Sequence, residues 1–462
     1  MKPSIRSIHA ADAKLTMAHL FVAFGALFIG ATAGLLQTLV RTGKFTLPAG
    51  IGYYQILTVH GVLLGLVLTT FFIIGFVLAT QSKTAGAYSA GERKWAWTGF
   101  ILMTVGVAIT STYILLNEAS VLYTFYAPLM AHPGFYIGLA LVVVGSWLEG
   151  FVVFRRHARW RRENPGERSP LLSYMGVVTM LLWLIATLGV AATVLLQFIP
   201  WSLGFTETID VLVSRTLFWY FGHPLVYFWL LPAYMCWYAI VPKIIGGKIF
   251  SDSLARMSFI LFLLFSFPVG FHHQLTEPGI DPFWKYLQVV LTFMVVIPSL
   301  MTAFALFATF EMRGRELGAK GLFGWLKKMP WKDVRFLAPF VGMLMFIPGG
   351  IGGIINASNQ MNQVVHNTIW VTGHFHLAVA TTVVLTFFGV TYWLVPSITG
   401  RKLTASMNKL GIVQTVFWAV GMLIMSGAMH WHGLLGGPRR SAFSEYAGNA
   451  DTTSWGAYQM AQ

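Results

Sequence analysis

Long apolar runs dominate this chain, separated by short clusters of polar and basic residues. Each run is about 20 residues or longer, enough for an α-helix to cross a bilayer. The pattern predicts eleven spanning helices, at 17–40, 53–80, 95–117, 132–154, 171–199, 209–241, 256–276, 284–311, 335–355, 366–398 and 410–435. Several exceed the thickness of the hydrocarbon layer, which tilt or extension beyond the lipid accommodates. The longest predicted loop, 312–334, is too short to build a core of its own. The fold class is therefore all-α, a polytopic transmembrane bundle, with residues 1–462 as one domain.

Composition agrees, with 56% hydrophobic and 10% charged residues. A net charge of +15 raises the question of nucleic acid, but the charge lies in the loops, where it reads as a topology signal. If the N-terminus is cytoplasmic, 25 of the 31 Lys and Arg fall on that side. The six on the other face are Arg41, Lys44, Arg215, Lys285, Arg439 and Arg440. Lys and Arg are retained on the cytoplasmic side, so the asymmetry predicts a cytoplasmic N-terminus and argues against a nucleic-acid partner. The first 16 residues are polar and mixed, and no cleavable signal peptide is expected. The single cysteine, Cys236, excludes a disulfide framework, a Cys-x-x-Cys-His haem attachment and a multi-thiolate metal centre within the chain.

Candidate chemistry enters with the histidines. His374 and His376 lie in one apolar segment, two residues apart, and a helix turns about 100° per residue. Their rings point to nearly opposite sides, so one helix can serve two separate ligands. Imidazole is costly in a bilayer unless it binds something, and haem iron is a common partner. With the predicted topology, His60, His223, His272, His273, His374 and His376 all fall in the outer half of the membrane. A single one would read as a hydrogen-bonded core histidine; six at one depth read as ligands. One division uses all six: His60 and His376 on either side of one haem iron, His374 alone on a second haem with an open face, and His223, His272 and His273 on a copper opposite that face. Adjacent His272 and His273 require local unwinding, which Pro268, Gly270 and the helix end supply. His9, His19, His132, His157, His430 and His432 are read as interfacial or packing residues.

Tyr227 follows His223 by four residues and shares its helical face. A phenol beside a metal centre can give a proton and an electron; spacing alone leaves open whether this ring only fills space. Tyr227, Tyr234 and Tyr238 form one stripe at i, i+7 and i+11, and Ser299 with Thr302 offers hydroxyls at similar depth on the helix at 284–311. That set suits a proton path, although Ser and Thr also bond to their own backbone.

The motifs His223-Pro-Leu-Val-Tyr227, His272-His273 and Gly373-His-Phe-His376 resemble the catalytic subunit of the haem-copper oxygen reductases. The surrounding Arg215-Thr-Leu-Phe-Trp, Pro268-Val-Gly-Phe-His-His-Gln and Val365-His-Asn-Thr-Ile-Trp resemble its B-type, ba-type branch over essentially the whole chain. The resemblance implies a low-spin haem b on His60 and His376, a high-spin haem of a- or o-type on His374, and a copper, CuB, on His223, His272 and His273. It implies that Tyr227 is joined covalently to His223, and it assigns such Tyr, Ser and Thr residues to a proton channel. It further implies reduction of dioxygen to water with proton translocation in a prokaryotic cytoplasmic (inner) membrane. The expected partners are a cupredoxin-type subunit II with a dinuclear copper site and cytochrome c, or a quinol, as donor.

Particular positions refine this. Nitric oxide reductases of the superfamily carry a glutamate where this chain has Tyr227, which favours oxygen and copper over nitric oxide and iron. Leu225 stands where A-type enzymes carry a glutamate, so a single proton path is expected. Arg439, Arg440 and His366, with Asn367, are expected near haem propionates, since guanidinium pairs well with carboxylate. Asn362 stands where an acidic residue is expected in close relatives. Relatives continue into at least one more helix, so a longer chain is expected. An alternative of another class is a proton-coupled transporter whose histidines relay protons without haem.

Overall fold

The computed structural model describes residues 8–267 and 270–442. Pro268, one of the expected helix breakers, lies outside the described residues. Among the described residues the structure is helical, with no strand beyond an isolated bridge between Thr368 and Pro438. Among the described residues, ten helices are long and apolar enough to cross a membrane. They are α1 Ala10–Arg41, α2 Tyr53–Ala85, α3 Ala90–Leu115, α4 Pro133–Glu163, α5 Leu171–Ser202, α6 Val211–Ile244, α8 Pro282–Glu316, α9 Val334–Ala357, α10 Ile369–Thr399 and α11 Ala405–Leu434. Between α6 and α8 lies α7, Asp252–Ser266, of only 15 residues.

The prediction of eleven full spans is corrected at α7. The apolar run 256–276 does not continue as one helix: α7 stops at Ser266, and Phe271–Gln274 forms a separate 3-10 turn. Helix starts also move outward. His9 caps α1 by accepting the Ala11 N–H at 3.3 Å, which draws Asp12 and Lys14 into the helix although their polarity suggested a loop.

The chain forms two compact units, one of α1 to α5 and the start of α6, the other from Val226 through α11 together with 174–179. The division falls inside α6, between Leu225 and Val226, so this continuous helix belongs to both.

In the first unit α3 and α4 touch through glycines. A Cβ at Gly106 would lie 2.5 Å from the Gly138 carbonyl oxygen, so any side chain there would force the backbones apart. Lipid tails give helices no reason to associate through bulk apolar area, so such close backbone approach supplies the contact. At one end of this unit Asp12 accepts from Ser82 Oγ at 2.6 Å, the Tyr88 N–H at 3.2 Å and Arg93 Nη1 at 3.2 Å. In the second unit, Trp237 Nε1 of α6 donates to Thr386 Oγ1 of α10 at 3.1 Å, and Trp418 Nε1 of α11 donates to the Ala380 carbonyl at 2.8 Å.

Two helices depart from regular α geometry beside the candidate haem ligands. A π-helical stretch, Val62–Leu68, follows His60 in α2, and another, His376–Val383, opens at His376 in α10. Such wider turns free or re-aim backbone groups and recur at functional sites.

Candidate functional site

His60 is held by α1. Its Nδ1 lies 2.9 Å from the Gly30 carbonyl, which can only accept, so the hydrogen is on Nδ1 and the lone pair on Nε2. Gly34, one turn on, makes room: a Cβ there would lie 2.5 Å from His60 Nδ1. His376 is set the same way by its own helix, with Nδ1 2.8 Å from the Thr372 carbonyl. Both rings therefore present Nε2, the usual arrangement for an oriented ligand. His374 lies against α9, where a Cβ at Gly352 would come within 2.5 Å of its Nδ1. Its ring stacks on Trp370 at 6.2 Å. Phe375, between the two histidines in sequence, meets Trp229 edge-on at 5.3 Å.

His223, on α6, and the His272–His273 pair each offer a ligand atom, and these three atoms lie within 4.8 Å of one another. The expected unwinding takes the form of the 3-10 turn, with the two adjacent rings 4.2 Å apart. What holds that turn is one polar face of α8. Thr292 Oγ1 lies 2.9 Å from His272 Nδ1, and Gln288 Oε1 accepts the Gly270 N–H at 2.7 Å. Lys285 Nζ donates to the carbonyls of Leu275 and Glu277 at 2.9 and 2.6 Å. Lys285, Gln288 and Thr292 stand at i, i+3 and i+7, one helical face. Sequence reasoning missed them as functional; the signal was three polar residues at helical spacing in an apolar segment.

Tyr227 is buried, and its ring lies 5.8 Å from that of Phe262. Tyr234 packs against the same Phe262, at 5.2 Å. Of the expected partners on α8, Thr302 meets the stripe, with the Tyr238 hydroxyl donating to Thr302 Oγ1 at 2.8 Å, whereas the Ser299 hydroxyl donates to the Val295 carbonyl of its own helix at 3.1 Å. Ser258 of α7, which the sequence reading did not include, lies 3.3 Å from the Tyr238 hydroxyl.

The basic residues after α11 also gather. Arg439 Nη2 donates to Asn367 Oδ1 at 3.2 Å, and its backbone N–H donates to the Asn367 carbonyl at 3.1 Å. His366 Nδ1 lies 3.0 Å from Asn362 Oδ1. Burial, with the positive charges of Arg439 and Arg440, pushes His366 down to about 4. Two guanidiniums beside a histidine that burial and their charges hold neutral form a place that favours anions.

The histidines left as packing residues divide. His132 caps α4 by accepting from the Gly134 N–H at 3.1 Å, and His157 lies 3.0 Å from Ser173 Oγ. His19 instead faces a carboxylate, Glu149, at 2.9 Å.

Residues 14–462 match the family described as Cytochrome C and Quinol oxidase polypeptide I. The chain belongs to this family. It is 45% identical over 443 residues to cytochrome c oxidase subunit 1 of Thermus thermophilus, covering 94% of this chain and 78% of that one. Quinol oxidase subunit 1 of Sulfolobus acidocaldarius is 24% identical over 427 residues, covering 89% of this chain and 78% of the relative. A cryo-EM structure of a haem-copper terminal oxidase dimer superposes with a TM-score of 0.91 at 37% identity, covering 98% of this chain and 80% of that chain. The chain is thus a haem-copper oxidase subunit I, an oxidoreductase and an integral membrane protein. Members of this family carry haem and copper, which the three histidine ligand atoms fit. The fit extends to the glycine cradles, which leave space against rings where side chains would collide.

Proposed function

We propose that this subunit reduces dioxygen to water in a prokaryotic cytoplasmic membrane, coupled to proton translocation, with its N-terminus in the cytoplasm. The observation that carries the copper assignment is the approach of His223, His272 and His273 ligand atoms to within 4.8 Å. Low-spin haem b would be held by His60 and His376, a high-spin haem of a- or o-type by His374, and CuB by the three histidines. When bound, these groups accept electrons and reduce oxygen; the protein supplies position, protons and exclusion of water.

The residues divide that work. Gly30 and Thr372 carbonyls fix the hydrogen on Nδ1 of His60 and His376, so each ring offers Nε2 in one orientation. Thr292 does the same for His272: its own hydroxyl donates to the Gln288 carbonyl at 2.6 Å, so its oxygen accepts from His272 Nδ1. Tyr238, Tyr234 and Tyr227, supported by Thr302 and Ser299, carry protons toward the histidines, and the Tyr227 hydroxyl, on a ring joined to His223, gives up the last one. Leu225 cannot carry a proton, which leaves this stripe as the path. Arg439 and Arg440, with His366, would hold the acidic edges of the haems.

The electron entry centre lies in another subunit, since this chain has one cysteine, buried Cys236. A cupredoxin-type subunit II with dinuclear copper, fed by cytochrome c, is the partner we assign; a quinol donor is the other reading the family allows. Metal analysis and a reduced-minus-oxidised spectrum of the purified enzyme test the proposal. Two haem signatures and one copper are expected in this subunit, whereas iron in place of copper would point to nitric oxide reduction.

A further inference from the structure

Apart from the histidines assigned to haem and copper, the first unit encloses another titratable pair. His19 on α1 and Glu149 on α4 have side-chain exposures of 0% and 0%, with His19 Nε2 2.9 Å from Glu149 Oε2. The other ring nitrogen, Nδ1, lies 2.9 Å from the Leu15 carbonyl oxygen. That oxygen only accepts, so Nδ1 carries a hydrogen. The Nε2···Oε2 contact then needs one proton between two atoms that would otherwise both be acceptors. The pair is either imidazole with carboxylic acid or imidazolium with carboxylate, and in both forms it holds one proton with no net charge.

The surroundings choose between these forms. The His19 ring lies between Phe71 and Phe100, at centroid distances of 5.7 and 4.8 Å. Glu149 Cγ is pressed against Gly99, where a Cβ would lie 2.7 Å away. Among the described residues no donor reaches Glu149 Oε1. A carboxylate with one oxygen unsupported in an apolar site is strongly disfavoured, whereas the carbonyl oxygen of a neutral carboxyl tolerates it. Glu149 is also the deepest acidic side chain in the ten described spans, 16 residues after Pro133 and 14 before Glu163. Ionisable groups at such depth mark proton or ion pathways.

Polar side chains are spaced along α1 from the pair toward its N-terminal end. Asp12, Thr16 and His19 stand at i, i+4 and i+7 on the enclosed face of α1, with exposures of 2%, 0% and 0%. Thr16 Oγ1 is buried with no partner among the described residues, and Asp12 is bonded to Arg93, whose side chain is 26% exposed.

We propose that His19 and Glu149 form a proton-binding site, in which a neutral Glu149 carboxyl donates to a neutral His19 and exchanges its proton with water at the Asp12 end of this line. In exchange one proton leaves Glu149 and one replaces it, with no redox partner required. This site does not depend on the metal assignments above.

Infrared spectroscopy of the intact purified oxidase, in H2O and after turnover in D2O, tests it. Expected is a carbonyl stretch of a protonated carboxyl that shifts down in D2O and disappears in Glu149→Gln. His19→Leu should keep that band but move it to higher frequency, because the acceptor is gone. Identical carboxyl regions in wild type and Glu149→Gln would show an ion pair and overturn the proposal, as would a band that does not shift in D2O. If Glu149→Gln fails to assemble, Glu149→Asp serves: a displaced band supports the site, and an unchanged carboxyl region overturns it.

Discussion

Thr292 Oγ1 lies 2.9 Å from His272 Nδ1 and passes its own hydrogen to the Gln288 carbonyl. This arrangement leaves the histidine one way to meet a metal, through Nε2, from a turn that has no regular helix to stiffen it. Thr292→Val keeps the volume and removes the acceptor. Loss of such a supporting group costs about 10–100-fold in metal affinity. Chelator titration of the copper should show that drop while the haem bands stay in place.

Tyr234→Phe removes the hydroxyl of a fully buried ring and leaves the ring in place. If protons travel along this stripe, oxygen uptake should fall by about a hundredfold or more, the scale of a lost proton-transfer group. Both haem spectra should be unchanged, and unaltered uptake would remove Tyr234 from the path.

The division of the two histidines in α10 has a spectral signature. His376→Leu should abolish the low-spin bands, and His374→Leu should abolish binding of carbon monoxide to a high-spin iron. If both variants lost the same signal, the assignment of one helix to two haems would be wrong.

Gly352 and Gly353 provide a paired test of the His374 cradle. Alanine at 352 would place a Cβ 2.5 Å from His374 Nδ1, while at 353 the nearest atom of that ring is 3.7 Å away. Gly352→Ala should cut high-spin haem content severely; Gly353→Ala should retain it.

His366 makes the fold sensitive to acid. Held at about 4, below its ordinary 6.5, it binds fewer protons folded than unfolded between those pH values. Its contribution is complete above the unfolded value and is lost as pH falls through the folded one. Thermal unfolding of His366→Asn should therefore fall less steeply than wild type between about pH 7 and about pH 4.

Much of this molecule was legible along the chain because helical period and bilayer length are local properties. Apolar runs placed ten of the eleven helices, and spacing alone gave the expectation that Tyr227, Tyr234 and Tyr238 share one stripe and that His374 and His376 point to opposite sides. Motif resemblance named the family before any coordinates. The exception, α7, failed for a local reason as well: apolarity continues through 256–276, but the adjacent histidines sit in a turn and not in a helix.

What the tertiary structure decided was which buried polar groups meet. His19 reads from sequence as one more packing histidine, and its partner Glu149 is 130 residues away on another helix. The hold of α8 on the His272 turn, the Gly30 carbonyl under His60 and the gathering of His366 with Arg439 and Arg440 are of the same kind. A polar group enclosed by apolar helices must find its complement wherever packing brings one, and no local period records that choice.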